Sequence, residues 1–219
     1  ADGVILINPD NPSGNFIPYK DIISILKALK EVNKYLILDE SFIDFADNGF
    51  ESSALNATDL EEYENLIIIK SIGKSYGIGG LRLGVLATSN EQIINQVKNQ
   101  IPIWNVNSVS EFYLQIIGKY KAEYKSSCEK IALRRKDLFI GLSRIKYITP
   151  FPSQANYILM EIKGINATKL SADLCNKFGI LVKDCSGKSG FVKNNYIRVA
   201  VRNSRDNQYL LECLKKFDT

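Results

Sequence analysis

Residues 65–84 read NLIIIKSIGKSYGIGGLRLG, a run of isoleucines that passes directly into a loop built on glycine. The apolar stretch Leu66–Ile69 suits a strand covered on both faces. A small-residue loop behind such a strand lets a ligand come close to the backbone. Two phosphate-binding patterns fail on it. The pattern G-x-x-x-x-G-K-[ST] would use Gly73, Lys74 and Ser75 but needs glycine at position 68, which is Ile68. A dinucleotide fingerprint begun at Gly77 and Gly79 would need its third glycine where Arg82 stands. What the loop does offer is a lysine, Lys74, among small residues.

Outward from this loop, apolar runs of strand type alternate with helical periods. Val4–Ile7 and Tyr35–Leu38 read as strands, and a helix is expected from about Lys20 to Lys34 with Ile22, Ile23, Leu26, Ala28 and Leu29 on one face. Downstream, Leu83–Ala87 is a strand and Glu91–Gln100 a helix. The stretch IPIWNVNS at 101–108 breaks the pattern, and a long helical region follows toward Leu142. Strand Ala155–Glu161, helix Ala167–Phe178, strands Ile180–Lys183 and Tyr196–Val201, and a helix from Asp206 complete the series. The alternation predicts an α/β protein with a mostly parallel sheet, in two parts, 1–104 and 105–219. The chain opens within a strand, so a further element is expected ahead of it, since a parallel sheet needs both faces covered.

Composition narrows the chemistry. The chain has 219 residues, 45% hydrophobic and 24% charged, with a net charge of +4 spread along its length. No basic patch points to nucleic acid, and no apolar run reaches membrane-spanning length. The four cysteines form no CxxC pair and read as reduced core thiols, which makes the cytoplasm the expected location. Histidine is absent. That removes histidine-dependent triads and makes a zinc site an unpromising reading, so acid–base work falls to Lys, Asp, Glu, Tyr, Cys or a cofactor.

Pyridoxal phosphate chemistry asks for parts this sequence has. It needs a lysine amine that condenses with the cofactor aldehyde, a carboxylate that keeps the pyridine nitrogen protonated, and donors with a guanidinium for the phosphate. Lys74 supplies the amine. Asp39 closes strand Tyr35–Leu38, at the edge where open α/β sheets bind ligands. Ser71 and Arg82 flank the lysine, and Asn11 lies in the turn after the first strand. Taken singly, each has a plainer explanation: a solvated lysine, a helix cap, an Asn-Pro turn.

Four segments in order, NPDNPSG (8–14), LILDESFIDF (36–45), SIGKSYGIGGLRLG (71–84) and YIRVAVR (196–202), resemble the fold-type I PLP enzymes of aminotransferase class I/II. The resemblance lies toward the histidinol-phosphate aminotransferase and threonine-phosphate decarboxylase branch and lacks that family's N-terminal portion. It implies the PLP-dependent transferase fold, with part of the large sheet domain in 1–104 and a connecting helix plus a small α/β domain in 105–219. By motif it assigns Lys74 to the Schiff base and the proton shuttle, Asp39 to the pyridine nitrogen and Asn11 to the phenolic oxygen. Ser71 and Arg82 go to the phosphate, Arg198 to the substrate carboxylate, and Asn156 of PSQANYIL to the substrate.

One position departs from the pattern. Most of these aminotransferases carry a tyrosine three residues after the aspartate, and here it is Phe42. DESFIDF, WNVNS and QANYIL look more like the threonine-phosphate decarboxylases. The resemblance therefore implies amino transfer between an amino acid, expected to bear phosphate or phosphonate, and a 2-oxo acid. Decarboxylation of a phosphorylated amino acid is the alternative, and an inactive fragment or scaffold domain of a larger chain is the reading from another class. Lys183 or Lys188, near the lysine-bearing SGKSG at 186–190, is a candidate for the substrate's second anion. The family implies a homodimer, with no nucleic acid and no membrane. Trp104, Phe151 and Tyr157 are expected to pack in a core or between domains, and Glu40 and Asp44 to pair with nearby lysines.

Overall fold

The computed structural model describes residues 1–189, 191 and 195–217, so Gly190 of the SGKSG stretch lies outside the described residues. Two compact units divide the chain. One comprises Ala1–Pro9 with Phe16–Ser127, the other Asp10–Asn15 with Cys128–Thr219. The boundary thus falls at 127/128, while the sequence break at 101–108 lies inside the first unit.

The first unit holds β1 (Gly3–Ile7), α1 (Tyr19–Glu31), β2 (Tyr35–Asp39), α2 (Ala57–Glu62), β3 (Leu66–Ser71), α3 (Ile72–Ser75), β4 (Gly84–Ala87), α4 (Glu91–Gln100) and α5 (Ser108–Ile116). Its sheet runs β1-β2-β3-β4, parallel across the first three strands and antiparallel at β4. Ile22 and Leu26, one turn apart on α1, are buried against Leu36, Leu38, Leu66 and Ile68, so 3.6-residue and 2-residue periods meet in one core. Helix α1 stops short of the expected Lys34. Asn33 takes φ 52°, and the Lys34 amide turns back to the Leu29 carbonyl at 2.8 Å, closing the last turn in the left-handed manner that asparagine tolerates. Between α4 and α5, Trp104 is 92% exposed with φ 62°. The core role expected for it is not met, because 101–107 forms no element to pack it against.

Helix α6 (Lys121–Ser143) leads into the second unit, followed by β5 (Ile148–Pro150), β6 (Tyr157–Ile162), α7 (Ala167–Phe178), β7 (Lys183–Asp184), β8 (Tyr196–Ala200) and α8 (Ser204–Lys215). Here the sheet order is β5-β6-β8-β7 and every pairing is antiparallel. The expectation of parallel strands therefore holds for β1–β3 and not here. The short 151–156 link joins β5 to its neighbour β6, as an antiparallel pair allows and a parallel pair does not. Ile158, Met160, Ile162, Ile197 and Val199 face a core with Leu138 and Leu142 of α6, Leu170 and Leu174 of α7 and Leu210 of α8. Gly179 at φ 66° ends α7, and the Asn203 side chain caps α8, which starts at Ser204, two residues ahead of the expected Asp206. Cys128, Cys185 and Cys213 are buried thiols as expected, whereas Cys175 is exposed on α7. Among the described residues no helix is long and apolar enough to cross a membrane.

Candidate active site

Strand direction gathers the first group of residues. Because β2 and β3 are parallel, with Asp39 opposite Ile69, Asp39 and Ser71 leave the sheet at the same edge. Antiparallel β4 pairs Gly84 with Ser71, which brings the preceding Arg82 to that edge as well. Lys74 does not sit on an open loop as expected; it lies in the four-residue helix α3, and its amine stands exposed. Gly73 fits there because a Cβ would come within 3.3 Å of the Gly79 backbone. Arg82 adopts φ 58° and donates to the Gly79 carbonyl at 3.4 Å. Ser71 occupies the N-cap position of α3 without a side-chain capping bond, which removes the plainer explanation of that serine.

The turn after β2 is fastened to α3. The Asp39 carboxylate accepts the Ser41 amide at 2.9 Å, and the Ser41 hydroxyl accepts the Ser71 amide at 2.9 Å. The Phe42 ring lies 4.7 Å from the Lys74 amine, within range of a cation–π contact. Beneath this, Lys70 donates to Asp44 at 2.6 Å and the Tyr124 hydroxyl donates to the same carboxylate at 2.5 Å. Tyr124 stacks on Tyr76 at 3.8 Å, two residues beyond Lys74. The expected pairing of Asp44 with a lysine is thus present. Glu40 instead binds Ser53 and the Ala54 amide, and burial pushes its carboxyl pKa up against those bonds and the Lys70 charge.

The second group lies in the second unit. Arg198 of β8 is opposite Leu159 of β6 and Lys183 of β7, so these side chains share the sheet face away from the helical core. The Arg198 guanidinium donates to the Asn11 side-chain oxygen and lies 4.8 Å from the Tyr157 ring centre. Tyr157 is buried, as expected, but it is also part of this group, which sequence reading missed. Its hydroxyl donates to the Asp10 carbonyl at 2.8 Å. Burial pushes the Cys185 thiol up while the charges of Arg198, Lys188 and Lys183 pull it down, so three cations act on one spot. The Asn156 carbonyl accepts the Val201 amide at 2.8 Å.

The structure thus brings Asp39, Phe42, Ser71, Lys74 and Arg82 together in one unit and Asn11, Lys183 and Arg198 in the other, with Asn156 at the start of β6. The Asp44–Lys70–Tyr124 brace also escaped sequence reading in part. Asp44 and Lys70 were legible as opposite charges, but nothing local links Tyr124 to them.

An α/β unit with a lysine, a carboxylate, a hydroxyl and a guanidinium on one sheet edge is the frame of a PLP enzyme. The model of the family "Aminotransferase class I and II" matches residues 1–214, and the chain belongs to that family, whose cofactor is pyridoxal 5'-phosphate. The L-serine phosphate decarboxylase of Campylobacter jejuni is 35% identical over 217 residues, covering 97% of this chain and 55% of that protein. A decarboxylase structure from Sulfurospirillum multivorans matches with a TM-score of 0.88 at 29% identity, covering 100% of this chain and 62% of that one. The histidinol-phosphate aminotransferase of Clostridium acetobutylicum gives a TM-score of 0.88 at 30% identity over 99% of this chain and 64% of that one. The chain spans about half the length of the Campylobacter relative. The donor set on the first unit's edge fits the cofactor: an amine for its aldehyde, an anion for its ring nitrogen, and neutral and cationic donors for its phosphate.

Proposed function

We propose that this protein acts at the α-carbon of an amino acid that carries a second anion, phosphate or phosphonate, and that Lys74 is its catalytic residue. The observation that carries this reading is the placement of the Lys74 amine on the sheet edge shared with Asp39, Ser71 and Arg82. When bound, the cofactor supplies an electron sink for charge developing at the α-carbon. Asp39 holds a proton at the ring nitrogen, Ser71 and Arg82 bind the phosphate, and the Asn11 amide donates to the phenolic oxygen. Lys74 would be the residue that holds the cofactor through its aldehyde, and once the substrate amine has displaced it there, its freed amine would carry the proton at the substrate's α-carbon. Arg198 takes the α-carboxylate with its flat fork, and Asn156 orients the substrate beside it. Lys183, on the same face as Arg198, supplies charge for the second anion.

Amino transfer to a 2-oxo acid is the first reading of the reaction. Decarboxylation is the second, favoured by Phe42 facing the Lys74 amine and by the Campylobacter relative. Incubating the full chain and PLP with O-phospho-L-serine or O-phospho-L-threonine separates them: 2-oxo acid formed with an acceptor present indicates transfer, released CO2 indicates decarboxylation, and neither product sinks both. Borohydride reduction should place a pyridoxyl group on Lys74, and Lys74→Ala should remove both the label and the turnover.

The assembly we propose is a homodimer, supported by exposed Ile103, Trp104, Val109 and Phe112 along the 103–112 stretch. Sedimentation showing a monomer at micromolar concentration would reject it. The four free thiols support a cytoplasmic setting.

A further inference from the structure

One side chain in the second unit makes two chemically different attachments among the described residues. Tyr157 lies opposite Ala200 in the β6–β8 ladder, which makes Arg198 its diagonal neighbour on the same face. Its ring stands 4.8 Å from the Arg198 guanidinium carbon. Its hydroxyl reaches the Asp10 carbonyl at 2.8 Å, the same oxygen that accepts the Gly14 amide at 2.8 Å. The turn so held carries Asn11, whose side-chain oxygen accepts from Arg198. Residues 153–154 hold the other end of the turn. The Gln154 amide donates to the Gly14 carbonyl at 2.8 Å, and a Cβ on Gly14 would meet the Ser153 hydroxyl at 2.1 Å.

A guanidinium recognises a carboxylate through two parallel bonds, so its plane must be set before the ligand arrives. We propose that Tyr157 is the positioning residue for carboxylate recognition: its ring sets the plane of Arg198, and its hydroxyl fixes the turn that brings Asn11 to the same guanidinium. This rests on the reading of Arg198 as the α-carboxylate arm. The two attachments separate chemically. Phenylalanine keeps the ring and loses the clasp, and leucine loses both.

The test uses the full chain with PLP and two probes, O-phospho-L-serine and O-phosphoethanolamine, which share amine and phosphate and differ in the carboxylate. Because the first probe is also a candidate substrate, binding is read before turnover from the absorbance of bound PLP in stopped-flow mixing, and the Gly14 amide is followed by hydrogen exchange. Tyr157→Phe should speed Gly14 exchange about tenfold, the loss of one hydrogen bond, and weaken O-phospho-L-serine only about twofold. Tyr157→Leu should weaken O-phospho-L-serine about tenfold or more, the scale of a desolvated cation–π contact, and leave O-phosphoethanolamine within about twofold. Tyr157→Met fills the space without a ring should the leucine variant fail to fold. Equal loss of both probes in the ring-less variants, no loss of either, or wild-type Gly14 exchange in Tyr157→Phe would each overturn the proposal. A wild-type protein that binds both probes alike would instead remove the carboxylate role of Arg198, and one that binds neither would remove the substrate reading. In both cases the exchange measurement still decides the clasp.

Discussion

Lys74 and Arg198 are both cations set on sheet elements, and the molecule holds them in opposite ways. Lys74 is fixed through its backbone. Helix α3 is tied to the Asp39 turn by Ser41 and braced below by Asp44, Lys70 and Tyr124, while the amine itself stands exposed above the Phe42 ring. Arg198 is fixed at its far end, between the Asn11 oxygen and the Tyr157 ring. A group that exchanges bonds and moves a proton needs a steady base and a free tip; a group that recognises a rigid anion needs its tip pre-set. The two arrangements match the two roles proposed for them.

The largest expected effect comes from breaking the brace under Lys74. Asp44 is 5% exposed and the Lys70 side chain 15%, so Asp44→Ala leaves a largely covered ammonium without its hydrogen-bonded anion. A loss of about 3–5 kcal/mol is expected in denaturant unfolding. A near-neutral result would mean that the Lys74 helix stands without the brace.

Next is the clasp in the other unit. Gly14 sits at φ +73° with Ser153 pressed against it, so Gly14→Ala should cost about 1–3 kcal/mol from the strained backbone. It should also weaken O-phospho-L-serine more than O-phosphoethanolamine, because the turn carries Asn11. Equal weakening would mean that the clasp serves stability alone.

The smallest effect is a pair of opposite pH slopes, read as thermal midpoint against pH. Burial raises the folded Glu40 carboxyl, so the folded state holds more protons than the unfolded one above the unfolded pKa. Its contribution is present at low pH and is lost as pH rises through the folded value; Glu40→Gln should remove that fall. Asp184 behaves in reverse. Burial works against its charge, yet bonds from the Thr168 hydroxyl and the Ser186 amide, with Lys183 beside it, hold its pKa down. Its contribution is present above the unfolded pKa and is lost as pH falls through the folded one, so Asp184→Asn should flatten the acid limb. Slopes of the same sign for both residues would break the contrast.

What was legible in the sequence follows from range. Helices α1 and α7 and strands β1 to β3 showed because their apolar periods are local, and Asp39, Ser71 and Lys74 fell on one edge once those strands were taken as parallel. Helix α2 escaped because ATDLEE is six residues of mostly polar character, started by the Asn56 cap. Strand β5, three residues ending in Pro150, gave no period to see. The antiparallel order of the second sheet depends on which strands pair, and that lies outside any local window. The same limit hid Tyr157 beside Arg198, since only the β6–β8 register makes them neighbours. The core half of the Trp104 reading failed for another reason: it stands 92% exposed in a stretch, 101–107, that forms no helix or strand.

The turn at 10–15 has a consequence for the order of events on the ribosome. It belongs to the unit formed from residue 128 onward, and its two clasping bonds join residues 147 and 187 positions apart. At bacterial to eukaryotic synthesis speeds of roughly 5–20 residues per second, Asn11 emerges some 10–40 s before Arg198 exists. During that interval the rest of its unit, from residue 128 onward, is being made, and the strand that carries Arg198 must capture a turn made long before it. The second unit therefore cannot finish folding as a late, self-contained domain; its completion is the step at which residues 10–15 and the residues from 128 onward first depend on each other.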